Sequence, residues 1–326
     1  MGKIQELLRP FIPQPILYEH FAKRFNNVED LSFDELENRL SAKYKDIFGR
    51  PINWDSPSSY SEKLTVSKIY APSADKTKDS DKVLVREKIA KLAGDEYLIP
   101  LIGVYDRLAD VNYKELPESF VIKCNHDSAS VTLIKNKNEL SSSDWKKLVA
   151  KYDHFYLKRK FQRMNYELHY ADITPKIVIE KYMGDGIKDF KFLCFSGTPA
   201  YVWIDNDRYG VRHTRDIYDM NWELQPFIHH DYPNSDAGEM KPENFDEMLN
   251  IVTLLSKGYD HVRTDMYDID GHIYFGELTF SSGGGDARIT PAEWDFRVGS
   301  LWDFDNSKRI DVKSRHHKIS DFVKNW

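Results

Sequence analysis

The chain has only two cysteines, Cys124 and Cys194. Both lie in apolar, strand-like runs, and their spacing offers neither a paired zinc motif nor a disulfide framework. A reduced, cytoplasmic setting is therefore expected. No apolar run approaches the roughly 20 residues that a membrane-spanning helix needs. The N-terminal stretch is interrupted by Pro10, Pro13 and Pro15 before a continuous apolar segment can form, so it does not read as a signal peptide. Its Leu7, Leu8, Phe11, Ile12, Ile16 and Leu17 are expected to dock on the protein's own core. Peripheral attachment to the inner face of the membrane, or docking on a partner, is the alternative. Basic residues are not in excess, at 46 Lys and Arg against 52 Asp and Glu. That argues against a nucleic-acid partner. No internal repeat or low-complexity tract is present.

What is present is a long chain of 326 residues, 41% hydrophobic and 30% charged, with a net charge of −6. It is long enough for a large core and two or more lobes. Residues 27–115 read as a helical region. Ser32 and Glu35 have capping-box spacing ahead of Leu36, Leu40, Tyr44 and Ile47 at helical intervals, and Gly49-Arg50-Pro51 ends that helix. Glu62–Tyr70 reads as a short helix and Ala71–Asp81 as an exposed polar loop. Asp81 caps a further helix that stops at Gly94. Tyr97–Tyr105 is apolar enough for a buried strand.

The stretch on which the rest is organised is 262–285, VRTDMYDIDGHIYFGELTFSSGGG. Two β-rich runs flank Asp270-Gly271, yet Arg263, Asp265 and Glu277 place charge within them, which is costly unless paired. A two-residue type I′ turn at Asp-Gly would set Asp265 opposite Gly276 and leave Glu277 on the other face. A three-residue loop, Ile269-Asp270-Gly271, instead sets Arg263 opposite Glu277 and gathers Arg263, Asp265, Glu277 and Thr279 on one face. The second register is the one expected here. Two carboxylates so placed repel unless a cation lies between them, and few protein oxygens completed by water and phosphate suit Mg²⁺. A surface hairpin with an Arg–Glu cross-strand pair explains the same residues.

Upstream, Phe120, Ile122 and Cys124 alternate with Val121 and Lys123, so a strand carries Lys123 on the face opposite Phe120. The loop Asn125-His126-Asp127-Ser128-Ala129-Ser130 follows, then a strand from Val131 to Ile134. A small-residue loop can present backbone N–H groups to phosphate oxygens; an ordinary hairpin with a snorkelling lysine fits as well. The segment 144–170 starts as a helix and becomes basic and aromatic at Lys158, Arg159, Lys160 and Arg163, fitting an anionic substrate, a lipid surface or a solvated helix face. Pro175–Met183 is a β-branched strand ending in Glu180, Lys181, Tyr182 and Met183, suited to an adenine slot or simply an ordinary strand end. Asp189–Phe195 alternates again, with Lys191 opposite Phe190 and Phe192. The polar run 205–216 holds Arg208, Arg212, His213 and Arg215, which can grip phosphate or carboxylate. A helix from Phe245 to Ser256 leads back into the hairpin.

Taken together these pieces resemble the ATP-grasp enzymes, and in wording the TupA-like ATP-grasp proteins of bacterial surface-polysaccharide biosynthesis. The matching phrases run from Asp81-Lys82-Val83-Leu84-Val85-Arg86 through Leu116–His126, Pro175-Lys176-Ile177, Phe190-Lys191-Phe192 and Tyr218–Trp222 to Tyr274–Phe280.

The resemblance implies an α+β, ATP-grasp fold, with two α+β lobes clasping ATP beside an N-terminal mainly helical region. The implied division is 1–115, a small lobe at 116–184 and a C-terminal lobe at 185–326. By the same resemblance Lys123, Asn125, His126, Ser128 and Ser130 meet the phosphates, and Glu180, Lys181, Tyr182 and Met183 line adenine and ribose. Lys191 and Arg263 lie at the reacting phosphate, and Asp265 and Glu277 carry Mg²⁺. Thr279 stands where many relatives have asparagine, which leaves one or two metals open. The implied reaction is carboxylate–amine ligation through an acyl phosphate. It would join an amine, such as an amino acid, to a uronic-acid carboxylate of a glycan or nucleotide sugar, with glycosyltransferases as pathway partners. A phosphotransferase acting on a glycan, or a non-catalytic assembly protein, is the alternative.

Overall fold

The computed structural model describes residues 15–16, 31–128, 130–158, 165–206, 213–306, 309 and 318–319. Arg159, Lys160, Arg163, Arg208 and Arg212, noted above, lie outside that set.

Among the described residues from 31 on, four α-helices precede the first strand. Helix α1 spans Phe33–Phe48 and closes its N-terminus with the expected box, Ser32 accepting from the Glu35 N–H while Glu35 reaches back. Helix α2, Tyr60–Tyr70, is buried along its whole length. It carries a second box, Ser59 with Glu62, so the helix starts two residues before the position read from sequence. The expected exposed loop at 71–81 is instead helix α3, Ala74–Ser80, with Lys76, Asp79 and Ser80 buried. Partners far in sequence account for part of this: Asp79 is met by Tyr259 as well as by nearby Lys88, and Lys76 lies over the Phe280 ring while donating to the nearby Ala71 carbonyl at 2.8 Å. Helix α4, Val85–Leu92, follows Asp81, whose carboxylate accepts from Val83 N–H at 2.8 Å.

A four-stranded antiparallel sheet forms the small lobe, in the order β1-β4-β2-β3. Its strands are β1 Leu101–Tyr105, β2 Phe120–Cys124, β3 Thr132–Ile134 and β4 Ile177–Lys181. Strand β1, expected to be buried, is an edge strand, and Leu101 and Val104 are exposed. One face, with Phe120, Ile122, Cys124 and Ile179, packs into a core that includes Trp145 of helix α5, Ser142–Lys151.

The larger sheet is five-stranded, in the order β10-β9-β5-β6-β7, with each neighbouring pair antiparallel. Its strands are β5 Lys188–Phe195, β6 Thr198–Asn206, β7 Thr214–Asp219, β9 His261–Ile269 and β10 His272–Thr279. A small pair, β8 Ile228–His229 and β11 Ile289–Thr290, lies beside it. Helix α6, Phe245–Ser256, covers one face with Phe245, Met248, Val252 and Leu255, packed on Phe190, Phe192, Val202 and Met266. Helices α2 and α7, Glu293–Ser300, cover the far part of the opposite face over Leu193, Trp203 and Ile217. The rest of that opposite face carries the charged residues.

The β9–β10 hairpin corrects the expected register. The turn has two residues, Asp270 and Gly271, both with positive φ (53° and 81°), and Ile269 pairs with His272. This is the turn that Asp-Gly favours. Left alone it would send Glu277 to the wrong face. A β-bulge at Gly276 inserts one residue, so that Phe275 faces Met266 while Glu277 faces Asp265. A Cβ at Gly276 would come within 3.0 Å of the Asp265 carbonyl, which is why glycine occupies the bulge. The charges share a face as expected, but the bulge and not a longer turn puts them there.

Candidate active site

Pleat alternation on β9 and β10 turns Arg263, Asp265, Glu277 and Thr279 toward one another. Arg263 is 9% exposed and grips Asp265 with Nε and Nη2, each at 2.6 Å. The same Nη2 reaches Glu277 at 3.0 Å and Thr279 Oγ1 at 3.1 Å. Thr279 in turn donates to Glu277 at 2.6 Å. Burial raises Asp265 above the usual carboxylate range, while Asp265 opposes burial and raises Arg263. A two-pronged contact at 2.6 Å is the stronger argument, and it makes Asp265 ionised in this pair. Burial also works against the charge of Glu277, but Lys82 and Arg263 hold its pKa down to about 2.

Lys191 stands directly across from Asp265 on β5. It is buried, bonds Asp189 and reaches Asp205 on β6 at 3.1 Å. Asp205 is also held by Arg215 at 2.6 Å. Burial disfavours its charge, yet Arg215 and then Lys191 push its pKa well below the usual carboxylate value. The sheet thus presents Glu277, Asp265, Lys191, Asp205 and Arg215 in strand order from β10 to β7.

The small lobe contributes Lys123 on the expected face of β2. Its Nζ meets Glu180 Oε2 at 2.5 Å, and Arg86 Nη1 approaches Oε1 of the same carboxylate at 3.4 Å. Leu133 of β3 and the adjoining Val131 are 47% and 50% exposed. Leu133 pairs with Val121, which shares the face of Lys123, so apolar surface lies beside the lysine. At the end of β4, Lys181 is exposed, Tyr182 is half-buried and donates to Asp185 at 2.6 Å, and Met183 is half-buried.

The loop after β2 behaves differently from the expectation that its side chains meet phosphate. Asn125 is 1% exposed. Its amide donates to Asp81 at 2.9 Å and to the Thr174 carbonyl at 3.0 Å, and its oxygen accepts from Lys176 N–H at 2.7 Å. Ser130 is buried, bonds Asp127 and accepts from Cys124 N–H at 2.8 Å. His126 is buried as well, and among the described residues of the loop only Ser128 is exposed. Asn125 and Ser130 build the loop; what it can offer a ligand is backbone and the Ser128 hydroxyl.

Sequence reasoning passed over Lys82 and Arg86. Lys82 donates to the Asp127 carbonyl at 2.7 Å and lies 4.0 Å from Glu277 Oε2, so it links the loop of one lobe to the hairpin of the other. The adjacent Asp81, which holds Asn125, was the available signal. Tyr170 was also missed. It lies among Glu167, Glu277, Arg263 and Asp127, and burial first and the carboxylates next raise its pKa well above normal.

Among the described residues no group of three His, Cys, Asp or Glu side chains converges on one point. Asp265 and Glu277 with a neighbouring hydroxyl nevertheless fit Mg²⁺, which takes one or two carboxylates and completes its shell from water and phosphate. Arg263 occupies the ground between them. A cavity of about 550 Å³ lined by Ser196, Asp260, Asp303 and Asp305 contains none of these residues.

The model of the family described as TupA-like ATPgrasp matches residues 62–302. No curated protein matches the chain. Among solved structures, D-alanine–D-alanine ligase from Bacillus anthracis complexed with ATP is similar at 16% identity and a TM-score of 0.40, over 69% of this chain and 63% of that one. The ATP-grasp ligase PsnB complexed with a minimal precursor is similar at 10% identity and a TM-score of 0.39, over 71% and 62%. An L-amino acid ligase from Bacillus licheniformis is similar at 16% identity and a TM-score of 0.37, over 64% and 42%. The chain spans less than two thirds of the length of each of these three.

Proposed function

The chain belongs to the TupA-like ATP-grasp family, and from that premise we propose that it is an ATP-dependent carboxylate–amine ligase. The observation that carries the reading is the row of Glu277, Asp265 and Lys191 on adjacent strands, with Arg263 among them. Such a row matches the needs of a polyphosphate and its divalent cation. Lys123, Arg86 and Lys82 supply positive charge to the phosphates from the other lobe, and the loop after β2 supplies backbone N–H groups. Val131, Leu133, Tyr182 and Met183 offer apolar surface for the adenine, and Glu180 can accept from a nucleotide hydroxyl or amine. Asp265 and Glu277 would hold Mg²⁺, which neutralises phosphate charge when bound.

In the reaction a substrate carboxylate oxygen attacks the γ-phosphorus, the bond to the β-phosphate oxygen breaks, and ADP leaves with an acyl phosphate formed. An amine then attacks the acyl carbon, loses a proton, and expels inorganic phosphate to leave an amide. The protein's part is to position reactants and stabilise charge, which is the main demand of phosphoryl transfer. No serine or cysteine nucleophile is required. The resemblance to surface-polysaccharide proteins supports a uronic-acid carboxylate on a glycan or nucleotide sugar as one substrate and an amino acid as the other. By the same resemblance glycosyltransferases are partners, and the setting is the cytoplasm or the inner face of the membrane.

The test is an ADP-release screen that pairs uronate-bearing nucleotide sugars or glycans with each amino acid. ADP formation that requires both components, with an amide in the product, is expected. ADP formation without an amine, accompanied by a phosphorylated sugar, overturns ligation in favour of phosphotransfer.

A further inference from the structure

On the side of Lys191 away from the carboxylate pair, three N–H groups have no acceptor among the described residues. Trp203 of β6 is the cross-strand neighbour of Lys191 and is 1% exposed, and its Nε1–H is buried without a partner. Arg215 of β7 is 8% exposed and lies against the rings of Trp203 and Tyr232, at 5.3 and 5.0 Å from their centroids. Its Nε donates to Asp205 at 2.6 Å and its Nη1 to His229 Nδ1 at 2.7 Å, while Nη2 donates to none of the described residues. Since a guanidinium only donates, His229 Nδ1 accepts, and the ring proton sits on Nε2. Burial first, and Arg215 next, keep that ring neutral. His229 Nε2–H also bonds none of the described residues, and the ring stacks on Trp203 with centroids 4.1 Å apart.

A buried N–H without an acceptor is rare, because folding it away from water is costly. A purely structural role for Arg215 accounts for its bonds to Asp205 and His229 but leaves the indole of Trp203 unexplained. Asp205 does not close the site to an anion, since Arg215, Lys191 and His213, at 2.6, 3.1 and 3.2 Å, already meet it. A guest would be held by directed donors more than by net charge.

We infer that Trp203, Arg215 and His229 form the subsite for the carboxylate substrate, binding its acid group beside Lys191. The inference rests on the ligase reading above. Strand order supports the placement, because Lys191 lies between this subsite and Asp265, where the acid has to meet the γ-phosphate. The wall continues in aromatic rings, with His230 stacked on Tyr232 at 5.1 Å and His213 tilted against it at 3.9 Å. Flat faces beside a donor cluster favour a ring-bearing acid, such as a sugar acid, over a short-chain one.

Calorimetric titration with D-glucuronate, D-glucose and Mg²⁺–ATP tests this on the wild type, Trp203→Phe and Arg215→Lys. Wild type binds glucuronate at least about tenfold more tightly than glucose, since unmet donors reject a ligand lacking the acceptor. Arg215→Lys keeps the charge near Asp205 but loses the planar fork, and weakens glucuronate binding about tenfold or more. Trp203→Phe keeps an aromatic ring but removes the N–H along with the pyrrole part of the indole, and weakens glucuronate binding by roughly three- to tenfold. Mg²⁺–ATP affinity stays within about twofold in Trp203→Phe, whose lost N–H bonds no phosphate-binding residue. Thermal unfolding confirms that each variant is folded, and Trp203→Phe carries the test if Arg215→Lys is not. No glucuronate binding by the wild type, or equal binding by the wild type and the folded variants, overturns the subsite. Glucuronate binding that the variants lose, in a protein that fails to bind Mg²⁺–ATP, overturns the nucleotide reading and leaves the subsite standing.

Discussion

The two walls of the cleft use their polar residues in opposite ways. On the β9–β10 hairpin, the pleat commits Arg263, Asp265, Glu277 and Thr279 to one face, where they bond chiefly one another, with Ser282 and Lys82 beside them. In the loop after β2, Asn125 and Ser130 turn inward and are consumed by Asp81, Thr174, Lys176, Asp127 and Cys124. A polar side chain in a strand has one neighbour surface fixed by alternation, whereas one in a loop can satisfy the loop itself. The first kind is therefore a better guide to a ligand than the second.

Substitutions on the two walls should separate accordingly. The largest effect is expected for Glu277→Gln, which leaves the fold intact and lowers Mg²⁺-dependent kcat by at least about a hundredfold, as removal of a charge-stabilising group does. Steady-state ADP release measures it, and full activity would remove Glu277 from the metal site. Lys123→Ala takes a cation from the phosphates and is expected to weaken ATP binding by about 2 kcal/mol, roughly thirtyfold in Kd. Calorimetry reads that change, and an unaltered Kd would break the assignment. Asn125→Ala is expected to do the reverse. It leaves buried partners unmet, costs about 1–3 kcal/mol of stability, and lowers Tm with little change in ATP affinity. If ATP affinity fell with stability unchanged, the contrast between the walls would fail. The smallest effect is expected for Thr279→Val, about 1 kcal/mol, since Arg263 and Glu277 keep each other after the hydroxyl is lost. A Mg²⁺ titration of ADP release is the sensitive measurement.

The apolar end of the large sheet offers a pH test away from the cleft. His261 is buried, bonds Tyr60 and the Cys194 carbonyl, and stacks near Trp302. Burial lowers its pKa from 6.5 to about 4. The unfolded chain therefore takes up a proton first as pH falls. The stability this histidine permits is complete above about pH 6.5 and declines between 6.5 and 4, by roughly 3 kcal/mol in all. Urea unfolding across that range should show the decline, and it should be smaller in His261→Phe.

The strands and their faces were legible because alternation is a local property. Lys123 opposite Phe120, and Lys191 opposite Phe190 and Phe192, stand where the pattern places them. The Ser32–Glu35 box was legible for the same reason. Helix α3 was not, because Lys76 and Asp79 look like solvated residues until Phe280 and Tyr259 are brought to them. Lys82 and Arg86 escaped notice because their partners, Asp127, Glu277 and Glu180, are distant in sequence. The hairpin register failed on one glycine: Gly276, isolated within a strand pattern, was the available sign of a bulge, and the expected register had none.

That glycine gives the hairpin a parity. The two-residue turn sends Glu277 to one side of the sheet, and the single bulged residue sends it back. With the Ile269–His272 pair kept, the strand residues between Asp265 and Glu277 can therefore be lengthened or shortened only in even steps if both carboxylates are to keep one face. An odd change within either strand would have to be cancelled by removing the bulge, much as a second frameshift restores a reading frame. Paired compensating changes of this kind, and not single ones, are the changes that preserve such a site.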